Sequence, residues 1–372
     1  MASARSHPPG AGSPRQTTKI ILDSCLALGF AAAGVCRVQP SRWGDHLRQW
    51  LAAGRHGAMD YLERYADKMI DPSGFLPNAQ WAFVVADQYA ARGDLAGSHQ
   101  REGQTVGRVA RYAQGFDYHR VIKKRLHSLC DALRPRFKEA RFRSFTDTTP
   151  LMEREFAQRA GLGWVGKHTL VINPRLGSYV LLGGVLTTLE LEEPQEQREV
   201  TDACGTCTRC IDACPTNAIS PYSVDASRCI SYLTIERREP VAPEFFAGIG
   251  SWIYGCDVCQ EVCPHNSARG SDVDVGTPRS EYEPRVVALD LHEVAGWTAD
   301  DRRRVLKNSS MKRATLEMMK RNALIALGNV TPAERLAEFI VRLGQIQADP
   351  AEGNLVRETA RALLGRFQPG AE

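Results

Sequence analysis

The fold is decided by two short cysteine runs, CGTCTRCIDACP at residues 204–215 and CDVCQEVCP at residues 256–264. The first run holds four cysteines that are separated by two, two and three residues and followed by proline: Cys204, Cys207, Cys210 and Cys214. This is the spacing of bacterial ferredoxins, in which three thiolates bind one [4Fe-4S] cluster and the fourth binds another. The second run repeats the last three positions, so the sequence predicts two clusters within one segment.

Each cluster needs four thiolates, and the second run lacks the first cysteine of the pattern. Cys229 is the only unassigned cysteine nearby. Because the cysteine before proline binds the other cluster, we assign the ligands crosswise. Cluster one takes Cys204, Cys207, Cys210 and Cys263, and cluster two takes Cys214, Cys229, Cys256 and Cys259. Two zinc sites are the alternative, since zinc also binds Cys-x2-Cys pairs, but zinc does not explain two Cys-x3-Cys-Pro endings.

Composition sets the limits around these runs. The chain has 372 residues, which predicts two or three domains. Apolar residues make up 43% and charged residues 24%, so large cores are expected and wholesale disorder is excluded. The net charge is only +4, so an anionic partner must meet a local basic patch. The longest uncharged apolar stretches, 24–36 and 177–189, are shorter than the roughly 20 residues that span a bilayer.

The predicted class is α+β, with three folded units behind a tail. Residues 1–18 are rich in Pro, Gly and Ser and are predicted to be disordered. Residues 19–190 mix helical and strand patterns, including a helix over 43–64, and predict an α/β domain. An acidic stretch at 190–202 leads into a ferredoxin-like two-cluster domain over 198–267.

From residue 285 to 372 the pattern is all-helical. Two helix starts are predicted 18 residues apart, TPAE at 331–334 and DPAE at 349–352, each with a capping residue, proline and glutamate. Stacked helix pairs of this size are typical of solenoids, so we expect a HEAT-like helical domain.

Further motifs point to a known family. They are RYA at 111–113, DYH at 117–119, DTTP at 147–150, ER at 153–154, AGLGWVGK at 160–167 and GCDVCQEVCP at 255–264. With these motifs, the chain from about residue 20 onward resembles the epoxyqueuosine reductases, cobalamin-dependent iron–sulfur enzymes that complete queuosine in tRNA. The resemblance implies a base-off cobalamin between the N-terminal and cluster domains. Electrons would pass from an external low-potential donor through both clusters to cobalt, and the epoxide of the wobble base would become an alkene.

The resemblance also implies individual roles. Asp147 would be the proton donor, Asp117 and His119 would face the substrate, and cobalamin would contact Tyr112, Asp147, Lys167 and Asp257. Opening an epoxide leaves an alkoxide, and a carboxyl group protonates it near neutral pH only if burial raises the carboxyl pKa. The uncharged neighbours of Asp147 predict such burial. The alternatives are helix N-caps for Asp147 and Asp117 and a solvated side chain for Lys167.

A basic segment predicts the RNA-binding surface. Eight basic residues lie between 302 and 321, opposed there by one glutamate. Four of them are placed near one helical face and are predicted to contact tRNA phosphates: Lys312, Arg313, Lys320 and Arg321. A solvated helix face is the alternative.

Two other functions compete with tRNA epoxide reduction. A reductive dehalogenase would share cobalamin and two clusters, but such enzymes have twin-arginine leaders that this sequence lacks, and they lack its basic helical tail. A non-catalytic electron carrier fused to RNA-binding repeats would have no use for an acid at Asp147. A clustered set of thiols in a chain with large cores indicates a reducing compartment, so we expect a cytoplasmic protein without membrane contact.

Overall fold

The computed structural model describes residues 13–93, 105–267 and 277–367. The strands are β1 Ala32–Arg37, β2 Trp81–Gln88, β3 Val106–Val109, β4 Phe142–Phe145, β5 Trp164–Val165, β6 Val171–Ile172, β7 Val180–Thr187, β8 Ile219–Ser220, β9 Ser223–Val224, β10 Trp252–Tyr254 and β11 Ala288–Asp290. The α-helices are α1 Pro14–Ala27, α2 Gly44–Ala52, α3 Tyr61–Ile70, α4 Tyr118–Leu133, α5 Glu153–Arg159, α6 Arg209–Asp212, α7 Ile230–Ile235, α8 Phe246–Ile249, α9 Val258–Glu261, α10 Leu291–Ala295, α11 Ala299–Val305, α12 Leu316–Val330, α13 Leu336–Ala348 and α14 Asn354–Phe367. This mixture confirms the α+β class.

The N-terminal half is built on a four-stranded sheet in the order β1-β2-β7-β4. Successive side chains of a strand point to opposite faces, and every residue of β2 is buried. Phe83 and Val85 pack with α1 and α4 on one face, whereas Val84 and Ala86 pack with α5 on the other. All neighbouring strands are antiparallel, so this half is itself α+β, and the expectation of an α/β domain is wrong.

A second sheet joins distant parts of the chain. Its central strand β3 pairs in parallel with β10 of the cysteine-rich segment and antiparallel with β11. One apolar core runs from Val109 through Tyr254 to Leu324 of α12. The predicted cluster and helical domains therefore share a core, which fixes the cysteine-rich segment against the N-terminal half. The boundaries 198–267 and 285–372 stay a prediction from the sequence.

Two helix boundaries differ from the sequence expectation. The capping box of Ser13 and Gln16 starts α1 at Pro14, so residues 14–18 are helical and not part of a tail. Residues 1–12 of the predicted tail lie outside the described residues. The single helix expected over 43–64 is two helices, α2 and α3, because Gly54 and Gly57 between them have positive φ.

The C-terminal helices pack together as expected but begin later than predicted. A short 3-10 turn precedes α13, which starts at Leu336, and α14 starts at Asn354. Asp349 still caps a turn, since its carboxylate accepts a hydrogen bond from the Ala351 amide at 2.8 Å. Within the described part of the chain, we find no helix with the length and apolar character needed to cross a bilayer.

Candidate active site

A cavity of about 420 Å3 separates the first sheet from the cysteine-rich segment. Residues 180–182 of β7 contribute to its lining from the side of the sheet. Four thiols contribute from the other side: Cys214, Cys229, Cys256 and Cys259. Asp147 lines this cavity and also two adjoining cavities, of about 430 and 570 Å3. The fold therefore brings the predicted acid and one complete predicted cluster set to the same space.

Asp147 is the end of a chain of hydrogen-bonded side chains. It follows β4, and its Oδ1 lies 2.7 Å from Nε2 of His119, while the Tyr118 hydroxyl donates to its Oδ2. Nδ1 of His119 lies 2.7 Å from Oδ1 of Asp117. Asp117 is also the N-cap of α4 and accepts from the His119 amide at 3.2 Å. The capping alternative for Asp117 is thus correct, and the same carboxylate orients His119 toward Asp147.

The two carboxylates keep His119 protonated near neutral pH. Burial lowers its pKa, but the hydrogen bonds to Asp117 and Asp147 and their negative charges outweigh burial and raise it to about 9. Burial and the charge of Asp147 raise the pKa of Tyr118, so its hydroxyl stays a donor. Asp147 therefore faces two proton-bearing groups, one of them cationic.

The expected burial of Asp147 is wrong. Its side chain is 37% exposed because the loop after β4 borders all three cavities. Hydrogen bonds, and not a dry environment, hold this carboxyl group. Asp147 is not a helix N-cap either, since Met152 is the N-cap of α5, the next helix.

The eight clustered thiols fall into two neighbourhoods. Burial, together with the nearby thiols of Cys204, Cys210 and Cys207, raises the pKa of Cys263 to about 11. Burial also raises the pKa of Cys256, with smaller contributions from Cys229 and Cys214. Burial raises the pKa of Cys259 as well, followed by contributions from Cys256, Cys229 and, further down, Cys210. Cys263 thus lies near the first three thiols and Cys256 near Cys229 and Cys214, as the crosswise sets require, and the assignment of ligands stays a prediction.

Asp257 lines the cavity between two predicted ligands of cluster two, as the sequence predicts. It is buried, and its Oδ2 accepts from the Arg111 amide at 2.7 Å and from Arg111 Nη1 at 3.2 Å. Arg111 Nη1 also donates to Glu261 at 2.8 Å. Burial raises the pKa of Asp257 to about 6 against the opposing effect of Arg111. The ion pair with Arg111 fixes Asp257 in place.

Of the remaining predicted cofactor contacts, Tyr112 lines the cavity and Lys167 does not. Nζ of Lys167 donates to the carbonyls of Gly205 at 2.7 Å and Cys207 at 3.0 Å. Lys167 therefore holds the loop that carries the first cysteines. Lys167 is therefore not a freely solvated side chain, and its contact with cobalamin stays a prediction.

The basic patch divides into two parts. Lys312 and Arg313 are exposed, and Arg313 makes a bidentate ion pair with Glu236 at 2.9 and 2.7 Å. Lys320 and Arg321 lie on α12 and are buried. Lys320 pairs with Glu352, and Arg321 donates to three backbone carbonyls. The prediction that Lys320 and Arg321 contact RNA is wrong, because α12 is a core helix and does not share a face with the 3-10 turn of Lys312.

Two polar residues of the site have no predicted role. Tyr118 lies between the predicted Asp117 and His119, and its ring stacks on that of His119 at 4.0 Å between centroids. Glu153 lines the same cavity as Asp147, and burial together with the Asp147 charge raises its pKa to about 8. Both belong to motifs that the sequence singles out, but no spacing rule shows which member of a motif faces a cavity.

Comparison with known proteins agrees with this architecture. Residues 203–266 match the family described as 4Fe-4S double cluster binding domain, and residues 70–148 match the family described as Epoxyqueuosine reductase QueG, DUF1730. The chain is 35% identical to the epoxyqueuosine reductase of Pseudomonas aeruginosa over 319 residues. This alignment covers 85% of this chain and 86% of the relative. It is 36% identical over 307 residues to that of Escherichia coli, covering 82% of this chain and 79% of the relative.

Solved structures show the same relationship. A crystal structure of epoxyqueuosine reductase with an epoxyqueuosine-modified tRNA-Tyr stem loop superposes with a TM-score of 0.82 at 27% identity, covering 95% of this chain and 90% of that one. The enzyme from Streptococcus thermophilus gives a TM-score of 0.80 at 26% identity, covering 95% and 91%. From these matches, which share both sequence and fold with the chain, we conclude that it belongs to the epoxyqueuosine reductases, a family of oxidoreductases.

Proposed function

We propose that this protein reduces epoxyqueuosine to queuosine at the wobble position of tRNA, with Asp147 as the proton donor. The observation that carries the proposal is the shared cavity, which Asp147 and the four thiols of the second cluster set line together. Reduction of an epoxide to an alkene takes two electrons and two protons and releases water. The site therefore needs an electron path and a proton source at one place, and this cavity borders on both.

The thiols fit two [4Fe-4S] clusters. Each crosswise set supplies four cysteines, and the family match over residues 203–266 favours clusters over zinc. Cluster one would be held by Cys204, Cys207, Cys210 and Cys263, and cluster two by Cys214, Cys229, Cys256 and Cys259. Because cluster two borders the cavity, electrons from an external low-potential donor would enter at cluster one and leave at cluster two.

The cavity also fits a cobalamin. The surface that lines it is mainly apolar, with polar side chains such as Tyr112 and Asp257 at its border, which suits a broad apolar ring with amide edges. When bound, cobalamin would supply the reducing metal centre beside the epoxide. Tyr112, Asp147 and Asp257 would border it, whereas Lys167 would act at a distance by holding the loop of cluster one.

Side chains of the protein would supply the proton path. When the epoxide C–O bond opens, the oxygen needs a proton, and Asp147 faces the cavity from which that oxygen would be reached. His119 carries a proton at neutral pH and lies 2.7 Å behind Asp147. We therefore assign His119 the role of passing a proton to Asp147, and Asp117 the role of orienting His119. His119 also lines the cleft by which the substrate base would enter.

The RNA would approach over the cleft of about 570 Å3, which contains His119, Asp147 and Arg313. Lys312 and Arg313 are exposed at this side and would contact phosphates. A wobble base lies in an unpaired loop, which is the part of RNA that proteins recognise by inserting single bases into pockets. A tRNA substrate and reduced clusters would suit a cytoplasmic protein.

Anaerobic turnover tests the proposal directly. Reconstituted protein is incubated with epoxyqueuosine-containing tRNA and a chemical reductant, with and without added cobalamin, and the nucleosides are analysed by mass spectrometry. We expect queuosine only when cobalamin is present. Unchanged epoxyqueuosine in the presence of fully assembled clusters and bound cobalamin would contradict the proposal.

A further inference from the structure

One face of α3 carries an aromatic pair that the site described so far does not use. Tyr61 and Tyr65 are four residues apart, which places them one above the other on the helix. Both line the cleft of about 570 Å3 that leads to Asp147. Tyr65 is 42% exposed, a large apolar area for a side chain that borders a reactive site. Burying this area in a complex would be favourable.

The opposite wall of the cleft is polar and cationic. Tyr254, Glu236 and Arg313 form it, and the Arg313 guanidinium lies 6.0 Å from the ring centre of Tyr61. Arg64 lies on α3 between the two tyrosines and is exposed. Among the residues that the structure describes, neither Arg64 nor Lys312 forms an ion pair. An aromatic wall beside free cations is the arrangement that suits an unpaired nucleic-acid strand.

We infer that Tyr61 and Tyr65 form a stacking wall for an unpaired nucleobase that neighbours the reacting nucleotide in the RNA loop, with Arg64 contacting the adjoining phosphate. The inference rests on the proposed tRNA function and adds the recognition of a second base. Every base has a π-face, so such a wall binds without requiring one sequence. Stacking also holds the strand so that the reacting nucleotide stays in the cleft beside Asp147.

Three acidic residues near the cleft do not oppose this binding, since each has a basic partner. Asp67 pairs with Arg48 at 2.9 Å, and Glu63 lies 3.4 Å from His56. Glu236 is held by Arg313. The cleft therefore presents rings and cations to an entering strand.

The test measures binding of a fluorescent anticodon stem-loop RNA with guanosine at the wobble position, and of a blunt duplex of the same stem without the loop. Cluster-reconstituted Tyr65→Ala, Tyr65→Phe and wild-type proteins are compared, with Leu26→Ala as an exposed apolar control on α1. We expect Tyr65→Ala to weaken stem-loop binding by about 5- to 150-fold, since base stacking on an aromatic ring contributes about 1–3 kcal/mol. Tyr65→Phe and Leu26→Ala should bind like the wild type.

The salt dependence of the binding affinity separates the contribution of charge from that of stacking. Arg64→Gln should lower the slope of log affinity against log salt by about 0.7, as expected for one single-strand phosphate contact, whereas Tyr65→Ala should leave the slope unchanged. Lys138→Gln, an exposed cation after α4, is the matched control.

The outcomes test the proposed tRNA function and the stacking wall separately. Wild-type protein that does not prefer the stem-loop over the duplex would overturn the proposed tRNA function. A wild-type preference that Tyr65→Ala retains in full, or an equal loss for stem-loop and duplex, would overturn only the stacking wall. Because Tyr65 is exposed, unfolding is not expected, and unchanged iron content and circular dichroism verify this for each variant.

Discussion

The two sides of the cavity are built in different ways. The thiol side comes largely from two short runs, in which the spacing of cysteines within a few residues marks them as predicted cluster ligands. The acid side is assembled from the start of α4 and the loop after β4, about 30 residues apart, and its geometry exists only in the folded chain. Chemistry fixed by local spacing can thus be predicted from sequence, whereas chemistry fixed by packing needs the structure.

The largest expected effect is on the thiol side. Cys229 is assigned by elimination, so Cys229→Ala tests the assignment most directly. We expect iron to fall from about eight to about four atoms per chain and epoxide reduction to be lost, because cluster two loses a ligand next to the cavity. Iron analysis and anaerobic absorption spectra measure this. Cys130→Ala, a buried thiol outside both sets, should keep about eight irons, and equal iron in both variants would refute the crosswise assignment.

The next effect is on the acid side. Asp147→Asn keeps the shape of the side chain and removes the carboxyl group through which His119 would pass a proton. Since general acid catalysis typically contributes about 10²- to 10⁴-fold, we expect single-turnover reduction to slow by that factor with unchanged iron content and RNA affinity. Asp131→Asn on the exposed face of α4 is the control. Full activity of Asp147→Asn would move the acid elsewhere, with Glu153 as the next group lining the cavity.

The two sides also differ in what could be predicted. The eight predicted cluster ligands and Asp147 follow from the sequence, and the structure brings Asp147 and four of these thiols to one cavity. The burial of Asp147 could not be predicted, because its uncharged neighbours along the chain do not show that its loop borders three cavities. The prediction that Lys320 and Arg321 contact RNA is wrong for a related reason. A dense run of cations indicates a surface helix, but α12 is also rich in apolar residues and lies inside the shared core.

The pairing of the strands could not be predicted from the sequence either. Strand patterns occur within residues 19–190, but no local signal shows that β3 pairs with β10 nearly 150 residues later. This pairing brings Arg111, just after β3, against Asp257, just after β10. The buried ion pair is therefore a consequence of topology that residue spacing cannot reveal.

A third prediction concerns pH and His119. Its pKa in the folded protein, about 9, lies above its ordinary value of 6.5, so the protonated form is stabilised by folding. The stability from this ion-paired histidine is fully present below pH 6.5 and is lost as pH rises through 9. Activity should fall over the same range, because Asp147 loses its proton-bearing partner.

His119→Gln tests this link, since glutamine keeps a hydrogen-bond donor and has no ionisable proton. We expect reduction to slow by about 10- to 150-fold, as for a hydrogen bond to a charged group of about 1.5–3 kcal/mol, and the loss of activity near pH 9 to disappear. A pH profile of the single-turnover rate measures both. An unchanged alkaline limb in His119→Gln would assign that limb to another group, and His127→Gln on the same helix serves as the control.

The smallest expected effect compares two lysines of the basic segment. Lys312→Gln removes an exposed charge and should lower the slope of log RNA affinity against log salt by about 0.7 to 0.9, without a change in thermal stability. Lys320→Gln removes a buried partner of Glu352 and should lower the unfolding free energy by about 2 kcal/mol while leaving the salt slope unchanged. Fluorescence titrations at several salt concentrations and thermal unfolding separate the two effects. If Lys320→Gln lowered the slope as Lys312→Gln does, α12 would have to expose this side chain when RNA binds, and the division of the basic segment into an outer and an inner part would fail.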